Sequence, residues 1–262
     1  MIEGLGKKFD FAVIDTCHIH PIETLNFLSV LPFLQDGAIV VLHDLSLYLN
    51  LQYYDLSDFP SIYLAAKILF SSVAAEKIIL NDKKYISEKV LSNIGAFQVT
   101  SDTVKYIDGV FHSLTIPWFF FPDSGTLNSV RNIVKNHYDK TKLALFDDAV
   151  NVNYYLKAER IKPKLDSVLR QCKGKYILFG QKNAEFYINM IKAMNFDLPL
   201  EIWDNRAYGG ESCGVPVVKP HERLDDDAAI IFTVQTKHVY NDILKGLPSA
   251  LKPRAYFFEE KK

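Results

Sequence analysis

Two short apolar runs, each closing on an acid, constrain this chain most. Phe9 to Asp15 reads FDFAVID, and Ala38 to Asp44 reads AIVVLHD. Both are β-branched and continuous enough for strands of a parallel sheet buried on both faces. Between them, Pro21 to Leu34 has helical spacing in Ile22, Leu25, Leu28 and Pro32, with Pro21 at a tolerated first-turn position and Asp36-Gly37 as the closing turn. A strand, a helix and a strand joined by short connections predict a right-handed crossover unit.

Further along, Leu45 to Pro60 has no clear period and is expected as an irregular loop. Ser61 to Ala75 and Ser101 to Leu114 have helical patterns, the second opening on a cluster suited to a cap. Glu76 to Leu80 and Asn93 to Thr100 are expected as an antiparallel strand pair with Gly95 at a bend. Leu127 to Cys172 is mostly helical, with breaks expected near Asp139 and Pro163. A second alternation follows: strands at Lys175 to Phe179, Leu200 to Trp203, Val215 to Val218, Ala228 to Val234 and Ala255 to Phe258, with helices at Ala184 to Met194 and His238 to Leu247. This predicts a second α/β domain. The expected division is residues 1–124, a helical connector at 125–173, and 174–262.

The 262 residues are 48% hydrophobic and 23% charged, enough to bury a core in each of two domains. Thirty Lys and Arg against thirty-one Asp and Glu leave a net charge of -1, which disfavours nucleic-acid binding through a broad basic footprint. The longest apolar runs are too short to cross a bilayer, so no membrane partner is expected. Cys17, Cys172 and Cys213 form neither a CxxC pair nor an even framework. Free thiols and a cytoplasmic location follow as expectations.

In open α/β sheets, ligands bind outside the carboxyl ends of the strands. That rule selects Asp15, His18 and His20 after the first strand and His43 with Asp44 after the second. Imidazoles beside carboxylates serve as general acid and base or as ligands of a divalent metal. An acid at a strand end also commonly caps a loop, and a lone His is commonly held by hydrogen bonds, so both readings stand at this point. Trp118 to Phe121 and Tyr53-Tyr54 either line an acceptor pocket or belong to a core.

The stretch FDFAVIDTCHIHPIETLNFLSVLPFLQDGAIVVLHD resembles the fourth strand, following helix and fifth strand of class I S-adenosylmethionine-dependent methyltransferases, in the group with an "IDxxH" and an "HD" strand end. The helix and strand pair up to Thr100 agree with that fold's closing hairpin. The resemblance implies a Rossmann-like sheet of order 3-2-1-4-5-7-6. It places Asp15 beside the methionine end of the cofactor, with His18, His43 and Asp44 bordering the acceptor pocket as base or metal ligands. It transfers no role to His20 or Cys17. Such enzymes begin with a strand and a glycine-rich turn that holds the cofactor. Here Gly4-Leu5-Gly6 precedes the fourth-strand motif and does not match that turn. The first three strands are therefore expected to be missing, supplied by a partner, lost from a longer product, or made unnecessary by a rebuilt fold. A truncated or wrongly started reading frame is the favoured expectation, with an exposed sheet edge that promotes self-association or a partner.

The second domain, through KYILFGQKNAEFYINMI, LEIWDNRAYGGESCGVPVVKP and AAIIFTV, resembles the small Rossmann-like domain of sugar-modifying enzymes. Where relatives carry several glycines, Gly180 stands alone before Gln181, Lys182 and Asn183, which disfavours tight dinucleotide binding. Asp204 either accepts from a ribose or sugar hydroxyl or, with Asn205, forms a turn. Together these readings imply an incomplete methyltransferase-like protein for a small hydroxylated acceptor such as a sugar. It would use S-adenosylmethionine only when the missing half is supplied. The alternative is a non-catalytic nucleotide-sugar-binding or scaffolding protein.

Overall fold

A computed structural model describes residues 7–49, 63–79, 93–172, 175–220, 228–234 and 237–258. The chain is mixed α/β and divides into two compact units, Met1–Tyr154 and Tyr155–Lys262. No described helix is long and apolar enough to cross a membrane.

The first unit is built on β1 (Phe9–Ile14), α1 (Ile22–Val30) and β2 (Leu34–Leu42), the expected crossover, with β1 and β2 parallel. After α2 (Ala65–Ser72) come β3 (Lys77–Ile79) and β4 (Gly95–Gln98), paired antiparallel as expected. β4 also pairs antiparallel with β2, which gives the sheet order β1-β2-β4-β3. Gly95 opens β4, and a Cβ there would press on the side chains of Leu45 and Phe70, which would have to shift to admit it.

One sheet face presents Ile14, Ala38, Val40, Leu42 and Phe97 to Leu25, Phe27 and Leu28 of α1 and to Leu69 and Phe70 of α2. The other face departs from the expectation that β1 is buried on both sides. Phe11 is 55% and Val13 58% exposed, because the described helices that pack on this sheet cover its opposite face. Among the described residues β1 pairs with β2 alone and is an edge strand.

Two other local expectations change. β2 begins at Leu34, not after the Asp36-Gly37 turn: residues 35–37 form an irregularity between the pairs Phe9 to Leu34 and Phe11 to Ile39, with Gly37 at φ 85°. The helix expected from Ser101 to Leu114 is two, α3 (Ser101–Lys105) and α4 (Asp108–Ser113), with a capping box between Thr100 and Thr103 in front.

α5 (Ser124–His137) and α6 (Lys140–Gln171) occupy the stretch expected to connect the domains. The break near Asp139 is present, whereas α6 runs through Pro163. Glu159 and Pro163 are both exposed, so the carbonyl that loses its N–H donor is open to water. Leu127, Val130 and Val134 of α5 and Phe146 and Ala149 of α6 belong to the first core, and the Tyr138 hydroxyl donates to the Leu28 carbonyl at 2.7 Å. Asn153 of α6, itself buried, accepts from the Trp118 N–H at 2.8 Å and donates to Leu114 O. Trp118 and Phe121 are core residues by this packing, at 2% and 4% exposure; Tyr53 and Tyr54 lie outside the described residues.

In the second unit β5 (Tyr176–Phe179), α7 (Ala184–Ala193), β6 (Ile202–Trp203), β7 (Glu211–Ser212), β8 (Val215–Val218), β9 (Ala229–Phe232), α8 (Lys237–Gly246) and β10 (Ala255–Phe257) form a sheet of order β10-β9-β5-β6-β8-β7. All pairings are parallel except β7 with β8. β5 and β9 are buried throughout, with α7 and the end of α6 on one face and Tyr240, Ile243, Leu244 and Leu247 on the other. β6 and β9 flank β5 on opposite sides, so the winding reverses at the loop that Gly180 opens.

Candidate functional site

Parallel pairing of β1 with β2 brings their carboxyl ends side by side, and the backbone extends the match by one bond, His43 N to Ile14 O at 3.3 Å. Beyond that bond both chains turn sharply. His18 and Asp44 each have φ 60°, in the left-handed region that non-glycine residues seldom adopt. The turns aim four side chains from the two loops at one point.

Asp15, His18, His43 and Asp44 each offer a ligand atom, and these atoms all lie within 4.8 Å of one another. His18 Nε2 is 2.8 Å from Asp44 Oδ2 and 3.6 Å from Asp15 Oδ1. His43 Nδ1 is 3.2 Å from Asp44 Oδ2 and 3.6 Å from Asp15 Oδ1. Ligand atoms of a tetrahedral ion at about 2.1 Å stand roughly 3.4 Å apart, so these four residues could hold a cation after small adjustments, and without one they hold each other as an imidazole–carboxylate group. Asp44 and His18 are largely buried at the base, whereas Asp15 and His43 have 56% and 42% of their side chains exposed at the mouth.

Behind this group stands Glu23, which the sequence reading passed over. It sits in the first turn of α1, fully buried, and its Oε1 accepts from Thr16 Oγ1 at 2.7 Å and lies 3.5 Å from His18 Nδ1. Burial pushes its carboxyl above the ordinary glutamate range, against the opposing pull of the Thr16 hydroxyl. The available signal was an acid set among apolar positions just after Pro21. Asn93 was also missed: its side chain donates to Asp44 Oδ1 and accepts from Ser46 N at 3.0 Å, tying the second loop down.

His20 does not join the cluster. It is fully buried, and desolvation holds its imidazole down at about 4, opposed by the carbonyls of Ile116 and Ser113. Cys17 is an exposed free thiol, as is Cys213, while Cys172 is buried.

In the second unit Asp204 lies at the end of β6, where its carboxylate is taken up by the backbone. Oδ2 accepts from Gln181 N at 3.0 Å, and Oδ1 from Arg206 N and Ala207 N at 2.8 and 2.9 Å. These bonds hold its carboxyl below the usual range despite partial burial. Its visible work is to bind the β6 loop to the β5 loop. Gly180 has φ 111°, and a Cβ there would lie 2.7 Å from Thr233 Oγ1 just after β9, so this position favours glycine on two counts. Asn205 is exposed and borders a 460 Å³ cleft with Phe179 and Trp203 on its wall.

The chain matches no protein-family model, no curated protein and no solved structure.

Proposed function

We propose that the first unit is the acceptor side of a class I methyltransferase-like fold, in which Asp15, His18, His43 and Asp44 hold a divalent cation against a small hydroxylated acceptor such as a sugar. The observation that carries this reading is the convergence of two imidazoles and two carboxylates on one point from two adjacent strand ends. Mixed nitrogen and oxygen donors suit ions such as Zn²⁺ or Mn²⁺.

The strand order supports the fold half of the proposal. β1-β2-β4-β3, with β4 reversed against both neighbours, corresponds to strands 4-5-7-6 of the order the resemblance implies. The open edge of β1 and the bare face carrying Phe11 and Val13 are where further strands and helices of such a sheet would pack. Asp15 fits the acid expected beside the methionine end of S-adenosylmethionine. The glycine-rich cradle of such enzymes follows their first strand, whereas β1 stands here for the fourth and is followed by Thr16-Cys17-His18. On this reading S-adenosylmethionine binds only where a glycine-rich cofactor-binding half is also supplied.

When bound, a divalent cation lowers the pKa of a hydroxyl it contacts. The protein's own part is positional. Asp44, fixed by Asn93, and His18, backed by Glu23, form a rigid base. Asp15 and His43, open to solvent, are the members an acceptor reaches.

Titration of the metal-free chain with Zn²⁺ by calorimetry tests the reading, with one ion per chain expected. S-adenosylmethionine is expected not to bind the chain alone, and measurable affinity would remove the need for a separately supplied cofactor-binding half. No Zn²⁺ binding would favour the non-catalytic alternative, a scaffold or nucleotide-sugar binder.

A further inference from the structure

Glu23 is a carboxylate in an awkward place. It is fully buried in the first turn of α1, beside Thr24 and Leu25, which are buried too, and no Lys or Arg among the described residues pairs with it. Its Oε2 has no hydrogen-bond partner, while Oε1 accepts from Thr16 Oγ1 and faces the ring of His18, with the backbone N–H groups of Glu23 and His18 also turned toward the carboxyl. Leaving an acid so desolvated is costly, and a glutamine or a leucine would pack there without that cost.

The ring it faces has a conflict of its own. Nδ1 of His18 is buried without a formed hydrogen bond and faces Glu23 Oε1 at 3.5 Å, and Nε2 lies 2.8 Å from Asp44 Oδ2. An imidazolium donates to both, but a histidine that ligates a metal is neutral and has a single N–H, so in a loaded site one of its nitrogens must turn a lone pair toward a carboxylate or the cation. With the proton on Nε2, that repulsion falls against Glu23. With the proton on Nδ1, it falls against Asp44, where a cation between Nε2 and Oδ2 converts it into two ligand bonds.

We infer that Glu23 is a positioning residue of this centre: it takes the Nδ1–H of His18 and so commits the Nε2 lone pair to the cation shared with Asp15, His43 and Asp44. The inference rests on the metal reading of the site and adds the residue that sets the tautomer. A carboxylate behind a ligating histidine fixes ring orientation and raises ligand basicity. Thr16 holds Oε1 in place from the opposite side, at 2.7 Å.

The test uses the metal-free 262-residue chain loaded with Zn²⁺ for nitrogen-15 NMR of the histidine rings and with Co²⁺ for affinity and visible absorption. In the Zn²⁺ form of the native sequence, His18 is expected to carry its proton on Nδ1. Glu23→Ala should weaken Co²⁺ binding about 10- to 100-fold and shift the ligand-field bands. Glu23→Gln, whose amide oxygen still accepts from Nδ1–H, should recover most of the affinity. Failure of the native chain to bind either ion overturns the metal reading itself. Native binding with unchanged affinity and spectrum in Glu23→Ala overturns the role of Glu23 alone. If Glu23→Ala does not fold, the native Zn²⁺ spectrum decides by itself: His18 protonated on Nε2 and ligated through Nδ1 refutes the inference.

Discussion

His18 Nε2 and Asp44 Oδ2 meet at 2.8 Å although they hang from the ends of two different strands. If the proposed cation is bound, a pair held this way by the sheet register acts as one unit in holding it. His18→Ala and Asp44→Ala are each expected to lower Zn²⁺ affinity by more than about 100-fold, beyond what loss of a supporting contact produces. The double variant should be hardly worse than either single one, because a site short of one base ligand is already lost. Competition with a chromophoric chelator measures this, and additive losses would show that the two residues do not share an ion.

Asp44 also carries backbone strain, which can be separated from ligation. Its φ of 60° is easy for glycine and costs an alanine about 1–2 kcal/mol. Asp44→Gly and Asp44→Ala both remove the carboxylate and both orphan the Asn93 donor. In the metal-free chain Asp44→Gly should therefore be the more stable by about 1 kcal/mol in urea unfolding, while neither binds Zn²⁺. Equal stabilities would mean that the turn relaxes out of the left-handed region.

The four members of that centre were legible because apolar runs mark strands and strand ends mark sites. Asp15 and His43-Asp44 each close a run, and parallel pairing does the rest. Glu23 was not legible, because the helical spacing of Ile22, Leu25 and Leu28 draws attention to the apolar side chains and gives no sign that an acid shares their burial. The bare face of β1 was hidden for a related reason: FDFAVID has no polar alternation to mark an open side, so the composition reads as two buried faces. Pro163 misled in the opposite direction, since an exposed turn of a long helix tolerates a missing bond that a buried turn does not. Asp204 was read correctly as a strand-end acid, but only coordinates show three backbone N–H groups occupying it.

Tyr138 gives a pH signature far from the centre. Burial raises its phenol well above the ordinary range, with its O–H held on the Leu28 carbonyl. A folded-state pKa above the unfolded one makes the stabilising effect complete below about pH 10, the unfolded value, and progressively lost as the pH climbs further. Tyr138→Phe should cost about 1 kcal/mol at neutral pH through the lost hydrogen bond and should flatten the alkaline decline. Thermal unfolding between neutral pH and pH 11 reads both effects. A decline unchanged in the variant would assign it to other groups.

Gly180 tests the second unit. Any side chain there meets two obstacles, a φ of 111° and Thr233 Oγ1 at 2.7 Å from the new Cβ. Gly180→Ala is expected to destabilise this unit by about 1–3 kcal/mol without changing Zn²⁺ affinity. Urea unfolding followed by tryptophan emission suits the measurement, because Trp203 is buried beside Phe179. A neutral substitution would mean that the β5 loop is free to move off β9.

The uncovered sheet face carries the last expectation. Phe11 and Val13 stand beside Ile39 and Val41 in register, and Ala96 and Ile78 continue the row through Val41, so exposed Phe11, Val13 and Ile78 join half-buried Ile39, Val41 and Ala96 in one apolar row across all four strands. A stripe of this kind next to an unpaired edge favours association, with a second copy or with another polypeptide. The double variant Phe11→Lys, Val13→Lys should shift sedimentation toward the monomer. It should leave folding stability within about 0.5 kcal/mol, since both side chains already lie more than half in water. The Zn²⁺ site should be untouched, because its ligands leave the strands at the carboxyl ends and not from this face. Strong destabilisation would show instead that the stripe is covered from within the chain, and the docking of a cofactor-binding half there would lose its support.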